Sequence, residues 1–183
     1  MRKIVMLGLL FGAIVLTACA TMNIGAYRDG QIDFGRYHSW RWAAADALPV
    51  GDARLDHNAF FRDRLEGAVD RELAARGLTQ AFTGTADLAV HFHINVAQRF
   101  DASAMEAERG SCIALDCRPR VVSYEAGTLV LDVVDARTDR LVWRGWAQHG
   151  IAGVFDDQAR MDRYVDNAVR KMMLRFPVGV GFE

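Results

Sequence analysis

The chain is defined first by what it lacks. Past its first 18 residues, no apolar stretch approaches the roughly 20 residues that a spanning helix needs. Positive charge is not in excess: 22 Lys and Arg stand against 23 Asp and Glu. That balance excludes the basic footprint of a nucleic-acid-binding surface and gives no polybasic signal for anionic lipid. Internal repeats and low-complexity tracts are absent. No P-loop, G-x-G-x-x-G or H-E-x-x-H motif occurs. Ser39, Ser103, Ser111 and Ser123 fall in no G-x-S-x-G frame, and His38, His57 and His149 are scattered. No nucleophile–base set can therefore be placed by spacing.

Cysteine is sparse, with three in 183 residues, and the position of the first is informative. Arg2 and Lys3 precede an apolar run from Ile4 to Ala18, which closes on Leu16-Thr17-Ala18-Cys19. A basic head, a short apolar segment and small residues make a secretory signal. A cysteine ending the small-residue site is the pattern of a bacterial lipoprotein. Residues 1–18 are read as the signal peptide and Cys19 as the lipidated first residue of the mature chain. Several acyl chains, palmitate among them, anchor stably where one does not. Ala20, in place of an Asp, favours transport to the outer membrane. The expected location is the outer membrane, with the domain in the periplasm. Without Arg2 and Lys3, 20 basic residues face 23 acidic ones, a net of −3. Cys112 and Cys117 remain, and an even remainder in an oxidising compartment suggests a disulfide pinning a local loop.

Residues 19–31 have no clear period and read as a tether; 32–183 read as one α+β domain. A strand is expected from Ile32, with Trp40 and Trp42 on one face. Phe61, Leu65, Val69 and Leu73 recur every four residues and predict a helix from about His57 to Arg76, capped by Asp56 and followed by Gly77 at C′. Leu88, Val90, Phe92, Ile94 and Val96 alternate with Ala89, His91, His93, Asn95 and Ala97, a half-buried strand. The segment 101–123 is a long connection. Thr128–Val134 and Leu141–His149 read as a hairpin about the turn 135–140. A final helix from Asp157 to Arg175, capped by Asp156 or Asp157, ends before Pro177. The order is β-α-β-β-β-α, expected as an antiparallel sheet with both helices packed on one face.

The segment 33–42 (DFGRYHSWRW), the segment 127–136 (GTLVLDVVDA) with Leu141-Val142-Trp143-Arg144-Gly145 after it, and the closing Phe176-Pro177 together resemble the bacterial lipoproteins of the Domain of Unknown Function 4136 family. The resemblance runs from about Ala26 to Pro177. It implies an exported envelope lipoprotein with no established activity and supplies no catalytic residues. The cysteine-bearing loop is not part of that pattern.

A symmetric hairpin register pairs Asp132 with Arg144, Val134 with Val142 and Val130 with Trp146. The first is a cross-strand ion pair, expected to be structural. Leu129, Leu131, Val133, Trp143, Leu88 and Phe92 should face the helices. The opposite side should show Val130, Val134, Val142, Trp146, His91, His93 and Asn95, a mixed surface suited to partner contact. The favoured expectation is a non-enzymatic lipoprotein that binds or supports another envelope component, with no cofactor. The alternative is an envelope hydrolase or metal-binding protein using His91 and His93 with Asp132 and Arg144. Cys112 and Cys117 could complete a zinc set, although the spacing is not that of a zinc finger and export favours the disulfide.

Overall fold

The computed structural model describes residues 22–43, 52, 54–55, 58–101 and 122–177. Its elements are β1 (Asn23–Arg28), a 3₁₀ turn (Phe34–Arg36), β2 (Ser39–Trp42), α1 (Ala59–Ala74), β3 (Thr79–Gln80), β4 (Leu88–Asp101), β5 (Val122–Asp135), β6 (Arg140–Gly150) and α2 (Gln158–Met173). The strands form one six-stranded sheet in the order β1-β6-β5-β4-β2-β3. The α+β class stands as expected.

The purely antiparallel sheet does not. β4–β5, β5–β6 and β1–β6 are antiparallel, but β2 runs parallel to both β4 and β3. The reason is the helix between them. A helical crossover carries the chain back to the end of the sheet where the preceding strand began, so the next strand runs parallel. The hairpin logic applies only from β4 onward.

The element order also changes at the N-terminal side. Residues 23–28, expected within the tether, are an edge strand paired along its whole length with β6. The strand expected from Ile32 begins only at Ser39, because Phe34–Arg36 form a 3₁₀ turn capped by Asp33, whose carboxylate accepts from the Gly35 N–H.

Helix α1 buries Phe61, Leu65, Val69 and Leu73, the stripe that its period implies. Asn58, rather than Asp56, is the N-cap, accepting from the Phe61 N–H at 2.9 Å. At the other end Gly77 takes φ +81°. Its N–H bonds to Ala74 O at 3.0 Å, and the Leu78 N–H to Leu73 O at 3.1 Å. This is a Schellman close, with glycine where a side chain would be strained. Asp157 caps α2 through the Ala159 and Arg160 N–H groups. Met161, Met172 and Met173 are buried on its apolar side.

Both helices lie on the face that carries Leu88, Val90, Leu129, Leu131, Val133, Trp143 and Ala147. Trp143 is fully buried; its indole N–H donates to Arg175 O at 3.2 Å, and its ring meets Phe176 edge-on at 5.2 Å. Among the described residues no helix is long and apolar enough to cross a membrane.

Candidate functional site

The face of the sheet away from the helices is built from three cross-strand rows. One row runs Tyr27, Arg144, Asp132 and His91 through β1, β6, β5 and β4; the next runs Gly25, Trp146, Val130 and His93; the third runs Asn23, Gln148, Thr128 and Asn95. Period two along each strand puts all of these on one side. The structure thus brings together Trp146, Val130, His91, His93, Asp132 and Arg144, all anticipated from the sequence.

Val142 does not join them. A β-bulge between Val133 and Val134 shifts the register, so that Val134 faces Leu141. One extra residue turns the following side chain to the other face. Val142 is therefore fully buried within the hydrophobic core. The symmetric register holds only up to Val133–Trp143.

Asp132 and Arg144 stand directly opposed, as the register implies. Arg144 Nε donates to Oδ1 at 2.5 Å, and a terminal nitrogen to Oδ2 at 2.6 Å. This two-pronged hold on Asp132 raises the Arg144 pKa. His93 Nε2 is 3.7 Å from the same carboxylate. Asp132 is only 6% exposed, whereas Arg144 is roughly half in solvent. The pair is therefore stronger than the sub-kilocalorie value of an exposed pair. Because hydrogen bonds to charged groups contribute about 1.5–3 kcal/mol each, a double-mutant cycle with Asp132→Asn and Arg144→Gln should give a coupling of about 1–3 kcal/mol. Coupling near zero would remove the structural role.

The sequence reading missed five members of this face, Asn23, Gly25, Tyr27, Thr128 and Gln148. Tyr27 is 49% exposed beside Arg144. Gly25 sits under the Trp146 indole, and a Cβ there would overlap the six-membered ring. Trp146, on β6, thus lies half-buried over the edge strand β1, in a space that only glycine leaves. The available signal was weak: Ile24 and Ala26 alternate with polar or small neighbours over six residues, broken by a glycine that disfavours strands.

Cys19, Cys112 and Cys117 lie outside the described residues. Among the described residues no group of three or more His, Cys, Asp or Glu side chains could hold a metal ion.

A profile of the Domain of unknown function (DUF4136) matches residues 26–178, most of the chain. The chain belongs to the DUF4136 family. The match takes in edge strand β1 from Ala26 onward, so the DUF4136 unit includes the last part, 26–31, of the segment expected as a tether. The fold of this DUF4136 chain is shared with a DUF4136 family protein from Bacteroides thetaiotaomicron, at TM-score 0.52 and 15% identity, over 86% of this chain and 97% of that one. A PDZ domain protein from Parabacteroides distasonis superposes with TM-score 0.52 and 14% identity over 85% of this chain. The alignment spans only 35% of that protein's length. A PelC protein from Paraburkholderia phytofirmans, crystallised as a dodecamer, reaches TM-score 0.47 at 8% identity over 84% of this chain and 95% of its own. No curated protein matches the chain in sequence.

Proposed function

We propose that this DUF4136 protein is a non-enzymatic lipoprotein, tethered to the outer membrane through Cys19 with its domain in the periplasm. It binds another protein of the envelope through the sheet face away from its helices. The observation that supports this best is Trp146, half-buried over Gly25 and flanked by half-exposed Tyr27 and by Arg144. Tyr, Trp and Arg are the residues that most often anchor protein interfaces. The hydrolase or metal reading is less well supported, because both oxygens of Asp132 already accept from Arg144. A carboxylate held in that way is a poor general base.

Crosslinking in cells, followed by membrane fractionation, tests both parts. Cys19→Ala should abolish acylation and leave uncleaved precursor or soluble protein; fractionation and migration like wild type would remove the anchor. Trp146→Ala should lower partner capture severalfold while the protein stays folded. Undiminished capture would move the interface elsewhere.

Cys112 and Cys117 are proposed to close a disulfide in the exported protein. A short loop of this kind stabilises by about 2–3 kcal/mol. Thiol labelling of denatured, unreduced material should find neither free, and two reactive thiols would refute the bond.

A further inference from the structure

A second site lies at one end of the sheet, where β2, the start of β4 and the end of β5 meet. A cleft of about 610 Å³ is lined there by Arg36, Tyr37, Arg41, Asp87, Asp135 and Arg137, with the loop 84–86 between. Three guanidinium groups and two carboxylates meet in it. The carboxylates are turned to other work. Asp135 is buried, and its oxygens accept from the Tyr37 hydroxyl, Arg36 and the Arg137 and Thr138 N–H groups. Asp87 Oδ2 accepts from the His38 and Ser39 N–H groups and the Ser39 hydroxyl.

The cations are not equally engaged. Arg36 is held by Asp135. Arg41 and Arg137 are exposed, and among the described residues their side chains have no hydrogen bond or ion pair. Two uncommitted arginines facing one cleft in a chain of net charge −1 form a local positive centre that the overall composition conceals.

We infer that this cleft binds a phosphoryl group. Arginine forks match phosphate oxygens two at a time. A single carboxylate is satisfied by one fork, whereas a tetrahedral phosphate has oxygens for Arg41 and Arg137 together and for the free edge of Arg36. The cleft is larger than a phosphate alone and leaves room for the group that carries it. That group is either a lipid headgroup or a small soluble phosphate. The inference is independent of the sheet face as a partner surface.

The test is titration of the purified full chain, in uncharged detergent, with inorganic phosphate and separately with short-chain phosphatidylglycerol. Chloride at matched ionic strength is the baseline. Since hydrogen bonds between charged groups are each worth about tenfold or more in affinity, Arg41→Gln and Arg137→Gln should each weaken binding by about that factor. Arg163→Gln, an exposed arginine on α2, removes the same charge and should leave binding intact. Arg36 is spared because it also holds Asp135. Preference for inorganic phosphate points to a soluble ligand; preference for phosphatidylglycerol points to a lipid headgroup. Binding no stronger than chloride, or equal loss in Arg163→Gln, overturns the site.

Discussion

Trp143→Ala should cost about 3–5 kcal/mol, in the range of buried aromatic deletions, and lower the Tm by roughly 10 °C for a domain of this size. The residue is fully buried between the sheet and the C-terminal end of α2. Truncation opens a cavity beside Phe176 and leaves Arg175 O without its indole donor. Gly145 adds to the effect. It is glycine because the Trp143 ring folds back over it, where a Cβ would collide, and without the ring that cradle is empty. Trp146→Ala is the control. It lies on the opposite face and is only partly buried, so its loss should cost about 1–2 kcal/mol from reduced apolar burial. Thermal melts of the two variants side by side decide the matter. If Trp146→Ala melts lower than Trp143→Ala, the core and the interaction face have been exchanged.

Asp135→Ala should cost about 1–3 kcal/mol, the range for buried donors left unsatisfied, because Arg36, 44% exposed, can turn to water. Asp135 ties three parts of the fold together. It ends β5, turns the chain through the Arg137 and Thr138 N–H groups, and holds the 3₁₀ turn through Arg36 and the Tyr37 hydroxyl. Its removal leaves the hydroxyl and two N–H groups competing for water. Asp135→Asn, which keeps one carbonyl for the backbone donors, should fall between the two. A loss below about 1 kcal/mol in Asp135→Ala would mean that water replaces the carboxylate, an outcome at odds with the cost of orphaned buried donors.

The same residue predicts acid sensitivity. Burial opposes ionisation of Asp135, but the bonds from Tyr37, the Thr138 and Arg137 N–H groups and Arg36 outweigh it and lower its pKa from 3.8 to about 2. In the unfolded chain it titrates near the ordinary value. Its contribution to stability is therefore present above about pH 4 and is lost as pH falls toward 2. Denaturation midpoints measured between pH 6 and pH 2 should fall in the wild type, and the Asp135→Ala variant should show a shallower acid limb. Parallel limbs would assign the acid sensitivity to other carboxylates.

Much of this protein was legible in the sequence where the governing physics is local. The four-residue stripe of α1, the closing Gly77 and the cap at Asp157 depend on neighbours within one or two helical turns, and each lies where the pattern implies. Alternation along β4 separated the core side from the histidine side, because a strand has only two faces. A symmetric turn was sufficient to oppose Asp132 and Arg144.

The features that depended on distant partners were not legible. β1 is a strand because β6 offers an edge to it and because Gly25 makes room for Trp146, 121 positions away; neither condition leaves a local period. The parallel pairing of β2 with β4 follows from where α1 delivers the chain, which the hairpin signals could not convey. The bulge at Val133–Val134 costs the strand one residue of register and moves Val142 from the expected interaction face into the core. Asp135 read as a turn residue, and its role is set by Arg36 and Tyr37, about 100 residues earlier. By itself the sequence determined the helices, the central hairpin and the polarity of its two faces, all set by short-range periodicity. The tertiary structure alone decided the edge strand, the parallel crossover, the bulge and the arginine-lined cleft, because each requires groups that meet only once the chain has folded.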